Sequence, residues 1–130
     1  MLNIGYWIFM KKTVIIGATP NSSRYAFLAA QNLKAHKHEF VPVGIKKGDV
    51  LGQPIQQIQD KPMIKDVDTI TMYVGAPRQE GWYDYLLGLN PKRIIFNPGS
   101  ENRDLAKLAE EKGVEVVEGC TLVMLRTNQY

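Results

Sequence analysis

The sequence predicts an α/β domain, a doubly wound parallel sheet with helices on both faces. Two observations predict it. Short, nearly continuous apolar runs alternate with stretches of helical spacing from Thr13 to the C-terminus. Each run then stops at a polar, glycine- or proline-bearing turn. Continuous apolar character marks strands buried on both faces, and the alternation calls for right-handed crossovers.

The elements follow in order. Thr13–Gly17 is the first strand, and Ser22–Ala35 the helix after it, with Ala26, Ala29, Ala30 and Leu33 on one face. Glu39–Val43 is the second strand. The segment Lys46–Lys65 breaks the alternation: it is rich in Gly, Pro and Gln, and reads as a loop with a short helical turn anchored by Ile55 and Ile58. Thr69–Val74 is the third strand. Trp82, Tyr85, Leu86 and Leu89 then repeat at helical spacing until Pro91. Arg93–Phe96 is the fourth strand, and Leu105, Leu108 and Ala109 form a helical stripe ended by Gly113. Val114–Val117 is the fifth. A five-stranded sheet in the order 3-2-1-4-5 is expected.

Composition narrows the function. At 130 residues the chain fits one domain, read as 13–130 behind an N-terminal extension, 1–12. The apolar start MLNIGYWIF is far shorter than the roughly 20 residues of a membrane span and lacks the features of a secretion signal. Met10, before Lys11 and Lys12, reads as an alternative start. The net charge of +3 is mild and no basic stripe carries interleaved aromatics, which argues against nucleic acid. A single cysteine, Cys120, excludes an internal disulfide and suits a reducing cytoplasm.

In a doubly wound sheet, ligands bind beyond the carboxyl ends of the strands at the switch point. After strand one stand Gly17, Ala18, Thr19, Pro20, Asn21, Ser22, Ser23 and Arg24. On the G-x-G-x-x-G spacing, Thr19 and Ser22 replace the second and third glycines, which disfavours a dinucleotide. Asn21, Ser22 and Ser23 offer donors and helix caps, and Arg24 adds charge, so the loop suits a phosphate. As a bland alternative it is a well-capped turn.

After strand two, Pro42, Val43 and Gly44 lead to Lys46 and Lys47, where an NAD site needs an acid. A cationic pair suits a ligand with an extra ribose phosphate, NADP or coenzyme A; otherwise it is a solvated turn. Tyr73 and Val74 end strand three, and small residues follow. Asn97, Pro98 and Gly99 form a second glycine-bearing turn, expected directly across the switch point. Cys120 is expected at a helix start on the same edge, where a thiol gains thiolate character, or else as a small packed hydrophobe. No catalytic or metal-ligating constellation is legible. His36 and His38 are expected as solvated residues at the far end of the first helix, and Asp66 and Asp68 lie at the opposite edge.

Together the stretches VIIGATPNSSRYAF, EFVPVGIKKGDVLGQPI, VDTITMYVGAPR, RIIFNPGSEN and GVEVVEGCTLVML resemble the small stand-alone CoA-binding proteins. Those proteins are similar to the Rossmann-like CoA-binding domain of the succinyl-CoA synthetase α subunit. The resemblance covers nearly everything from Thr13 onward. Asn-Pro, frequent in the family after the second strand, is here Pro42-Val43-Gly44, and Asn97 stands where the family often has Gln. The resemblance implies CoA phosphates on Gly17–Arg24, adenosine beside Lys46, and pantetheine running toward Asn97-Pro98-Gly99.

The synthetase's phosphohistidine domain is not in this sequence, so ligase activity is not carried over. A non-catalytic module, carrier or sensor for CoA or an acyl-CoA is expected, partnered by small molecules and by either a homodimer mate or a separate acyl-CoA enzyme. The competing readings are an NADP-dependent oxidoreductase, with Tyr73 or Cys120 as proton donor, and an interaction domain with a vestigial cleft.

Overall fold

The apolar strands become the middle layer of the molecule. The protein is described by a computed structural model covering residues 10–130, so the expectation for the extension falls largely outside the described residues. The long strands are β1 (Thr13–Ile16), β2 (Phe40–Gly44), β6 (Thr69–Met72), β7 (Arg93–Phe96) and β8 (Glu115–Glu118). Three two-residue strands intervene: β3 (Asp49–Val50), β4 (Gln53–Pro54) and β5 (Gln56–Gln57). The helices are α1 (Tyr25–Ala35), α2 (Ala76–Gln79), α3 (Tyr83–Gly88), α4 (Arg103–Glu111) and α5 (Thr121–Arg126). A 3-10 turn spans Ile58–Asp60.

Every residue of β1, β2, β6 and β7 is buried, including the polar Thr13, Thr69, Thr71 and Arg93. Side chains alternate across the pleat. Val14, Ile16, Val43, Ile70, Met72, Ile94 and Phe96 enter one core with Leu86 and Leu105 of α3 and α4. Ile15 and Phe40 enter the other, with Ala26, Ala30 and Leu33 of α1 and Leu125 of α5. Both faces are therefore covered, and no helix among the described residues is long and apolar enough to cross a membrane.

The strand count and order depart from expectation. The main sheet has six strands in the order β5-β2-β1-β6-β7-β8, all in parallel register. Thr69–Met72 lies beside β1, pairing Thr13 with Thr69 and Ile16 with Met72, and not outside β2. That outer edge is taken by Gln56–Gln57, paired with Val43 and Gly44. The segment Lys46–Lys65 is thus a hairpin, an edge strand and the expected helical turn. Its short strands pair through backbone hydrogen bonds, which need no β-branched run. The correction moves the switch point. The chain winds outward from β1 through β2 to β5, returns to β6, and so reverses between β1 and β6.

Candidate functional site

Gly17 closes β1 at φ +94°, a conformation that side-chain-bearing residues rarely adopt. A Cβ there would stand 2.8 Å from Val74 Cγ1 and 3.2 Å from the Tyr73 carbonyl carbon. The loop after β6 therefore packs directly on the loop after β1, across the switch point. On the other side Gly44 lets β2 approach, since a Cβ there would lie 3.2 Å from both N and O of Ala18. The N–H groups of Gly17 and Ala18 both donate to the Val43 carbonyl, at 3.0 and 3.1 Å. Three strand ends are locked together at these glycines.

The polar loop after Ala18 holds itself. Thr19 Oγ1 accepts from the Asn21 N–H at 3.2 Å, and Asn21 Oδ1 accepts from the Ser23 N–H and hydroxyl at 3.0 and 2.7 Å. The expected helix cap is absent: α1 begins after Arg24, which contributes no side-chain cap. The N–H groups of Tyr25 and Ala26 consequently have no partner among the described residues, and an uncapped helix start is a favourable place for an anion. Pro20 lies against Gly48, whose Cβ would meet its ring at 3.1 Å, and so ties the loop to the β2–β3 connection.

A cleft of about 870 Å³ opens over these strand ends. Of the expected residues, Gly17, Ala18, Thr19, Ser23, Arg24, Gly44, Lys46, Tyr73, Val74, Pro98 and Gly99 line it. Arg24, Lys46 and Arg78 bring three cations to its wall against one anion, Glu80, and none of the four is ion-paired among the described residues. Its floor is apolar, with Ile16, Ile58, Met72 and Leu86.

The remaining expected residues stand elsewhere. Pro20, Asn21, Ser22 and Lys47 are exposed but outside the cleft, and Pro42 and Val43 are buried within β2. Asn97 is 3% exposed and committed to the fold. Its Nδ2 donates to Thr71 Oγ1 at 2.7 Å and to the Met72 carbonyl at 3.0 Å, and its Oδ1 accepts from the Thr121 N–H at 2.9 Å. With donors and acceptor occupied, its side chain does not face the cleft. The turn it begins also sits one strand away from the switch point, although Pro98 and Gly99 still reach the wall.

Cys120 immediately precedes α5, as expected, but does not line the cleft. It lies near the Tyr73 hydroxyl, whose burial pushes its pKa up. The sequence reading passed over Tyr25, Ile45, Arg78, Gln79 and Trp82, which also line the cleft. Gln79 is 1% exposed and braces the far wall, donating to the Val74 and Ser100 carbonyls at 2.9 and 2.8 Å.

Comparison with known proteins agrees with this fold. A crystal structure of an uncharacterized protein is 54% identical and superposes with a TM-score of 0.90, covering 93% of this chain and 98% of its own. A hypothetical protein from Pyrococcus horikoshii OT3 has a TM-score of 0.78 at 21% identity over 97% of this chain and 88% of its own, and shares the fold. So does a Thermus thermophilus protein, with a TM-score of 0.78 at 18% identity over 98% of this chain and 96% of its own. No curated protein matches the chain. The CoA binding domain family matches residues 11–126. Spanning both faces of the sheet and every strand end of the cleft, that match makes the chain a member of the CoA binding domain family.

Proposed function

We propose that the protein binds coenzyme A or an acyl-CoA in the carboxyl-end cleft, as a module, carrier or sensor without chemistry of its own. One observation carries the reading: an uncapped helix start and three unpaired cations share a cleft whose backbone approach is made by Gly17 and Gly44. Such a wall suits a ligand with separated phosphates on a long flexible arm. Family membership supports coenzyme A as that ligand, and the resemblance to the synthetase domain supports adenosine near Lys46. Within this reading Gly17–Thr19 and the start of α1 hold the diphosphate, and Lys46 meets the ribose phosphate. Tyr73 to Gly75 and Pro98-Gly99 flank the pantetheine arm.

Native mass spectrometry of gently purified protein tests the proposal. A retained mass matching CoA or a thioester of it is expected. A retained NADP, or a protein that stays bare after incubation with millimolar CoA, contradicts it.

A further inference from the structure

Among the described residues, five large apolar side chains stand well exposed: Tyr25, Ile45, Met63, Leu108 and Val123. Single exposed apolar residues are ordinary. Two of these five, however, line the same cleft, Tyr25 at 71% and Ile45 at 69% exposure. Each is also the chain neighbour of an unpaired cation in that wall. Arg24-Tyr25 opens α1, and Ile45-Lys46 leaves β2.

The backbone that presents the apolar groups is hydrogen-bonded on both sides of the cleft. The Arg24 carbonyl accepts from the Phe27 and Leu28 N–H groups at 3.1 Å each, which fixes the backbone that carries Tyr25. The Lys46 carbonyl accepts from Gln57 Nε2 at 3.1 Å, which steadies the segment beyond Ile45. Two cations, each beside an exposed apolar group, form the wall that a flat ring bearing a phosphorylated sugar needs. The ring sheds water against the apolar surface, and the phosphate meets the charge.

We propose that Tyr25 and Ile45 form a nucleobase clamp at this cleft, with Tyr25 as the stacking platform and Ile45 as further apolar contact for the adenine ring. The inference rests on the reading of the cleft as a CoA site and adds the residues that recognise the base. A platform of this kind needs the aromatic ring and not its hydroxyl.

Calorimetry on the full chain tests it with three probes: CoA, adenosine 3′,5′-bisphosphate and 4′-phosphopantetheine. Tyr25→Ala is expected to weaken CoA and the bisphosphate by about tenfold, within the range for base–aromatic stacking, and to leave phosphopantetheine unchanged. Tyr25→Phe is expected to bind all three like the wild type, and Ile45→Ala to show a loss of about two- to threefold, in line with a small apolar contact. Because both side chains are exposed, the melting temperatures should match the wild type.

Wild-type affinity for CoA and the bisphosphate in Tyr25→Ala overturns the clamp, and so does an equal loss for phosphopantetheine. If the wild type binds no CoA, the CoA reading fails, and the bisphosphate series alone decides the clamp. Tyr25-dependent binding of the bisphosphate supports it. Binding that ignores Tyr25, or no binding at all, overturns it.

Discussion

The two ends of the sheet carry cavities of nearly equal size, about 870 Å³ at the carboxyl ends and about 880 Å³ at the amino ends. Size therefore does not distinguish them. Charge and backbone do. The amino-end cavity is lined by three cations, Lys12, Lys65 and Lys92, and three anions, Glu39, Asp66 and Asp68. Its charges cancel, and Lys12 and Glu39 pair at 4.0 Å. The carboxyl-end wall has three cations against one anion, with an uncapped helix start beside them. At the amino ends Gly88 has nothing within 4 Å of where its Cβ would be, whereas at the carboxyl ends Gly17 permits a contact no side chain would allow and Gly44 a tight one. Uncompensated charge and close backbone approach, not volume, set the candidate site apart from the other cavity.

The glycines offer the strongest way to break that contrast. Gly17→Ala forces a Cβ against Val74 and the Tyr73 backbone at a positive φ, and is expected to lose about 2 kcal/mol or more of stability together with CoA binding. At the other end Gly88→Ala, in α3 with open space around it, should gain up to about 1 kcal/mol and leave binding alone. Urea melts and calorimetry on both variants check this pair. A silent Gly17→Ala would mean that the close approach is incidental.

Charge gives the next effect. Replacing Arg24 and Lys46 by alanine should weaken CoA by about thirtyfold, at about 1 kcal/mol per lost phosphate contact. Lys65→Ala with Lys92→Ala, at the amino ends, should change nothing. Lys46→Ala should also reduce the preference for CoA over dephospho-CoA, with Lys47→Ala doing so less because Lys47 stands outside the cleft. Equal losses from the Arg24/Lys46 pair and the Lys65/Lys92 pair would remove the distinction between the ends.

Acid sharpens the comparison from the amino-end side. His38 Nδ1 accepts from the Lys11 N–H at 2.9 Å, and the ring lies 5.1 Å from that of Tyr130. Burial, with Lys11, His36 and Arg93 nearby and Asp68 opposing them, lowers its pKa below the ordinary 6.5. The unfolded chain then binds more protons just below pH 6.5, so stability is full above that value and falls as pH drops toward the folded pKa. Melting temperature should decline modestly on acidification, and His38→Gln should flatten that part of the profile. CoA affinity at the distant carboxyl ends should not follow His38. A profile unchanged by the substitution would show that the histidine does not report on this end.

Much of this was legible in the residues. Nearly continuous apolar runs located the five long strands, and the turns after them located the cleft. Strand order was not legible, because apolar periodicity says that a strand is buried and not which neighbour buries it. Gln56–Gln57 adds an edge strand through backbone pairing that its glutamines do not advertise. Asn97 has the chemistry of a ligand contact, but the two donors and one acceptor that suggested it are used to bridge β6, β7 and α5. His38 was expected in solvent, and only the long-range packing of Lys11 and Tyr130 encloses it. Tyr25 and Ile45 gave no signal, since an exposed aromatic acquires meaning only when a cleft is found beside it.

The central claim is that ligand binds at the carboxyl ends of the strands and not in the equally large amino-end cavity. Amide chemical-shift mapping during a CoA titration tests it most directly. The account predicts shifts concentrated in Gly17–Tyr25, Gly44–Lys46, Tyr73–Gly75 and Gly99, with Met63–Asp68 and Gly88–Lys92 unmoved. Shifts concentrated in Met63–Asp68 and Gly88–Lys92, or none at saturating CoA, would contradict it.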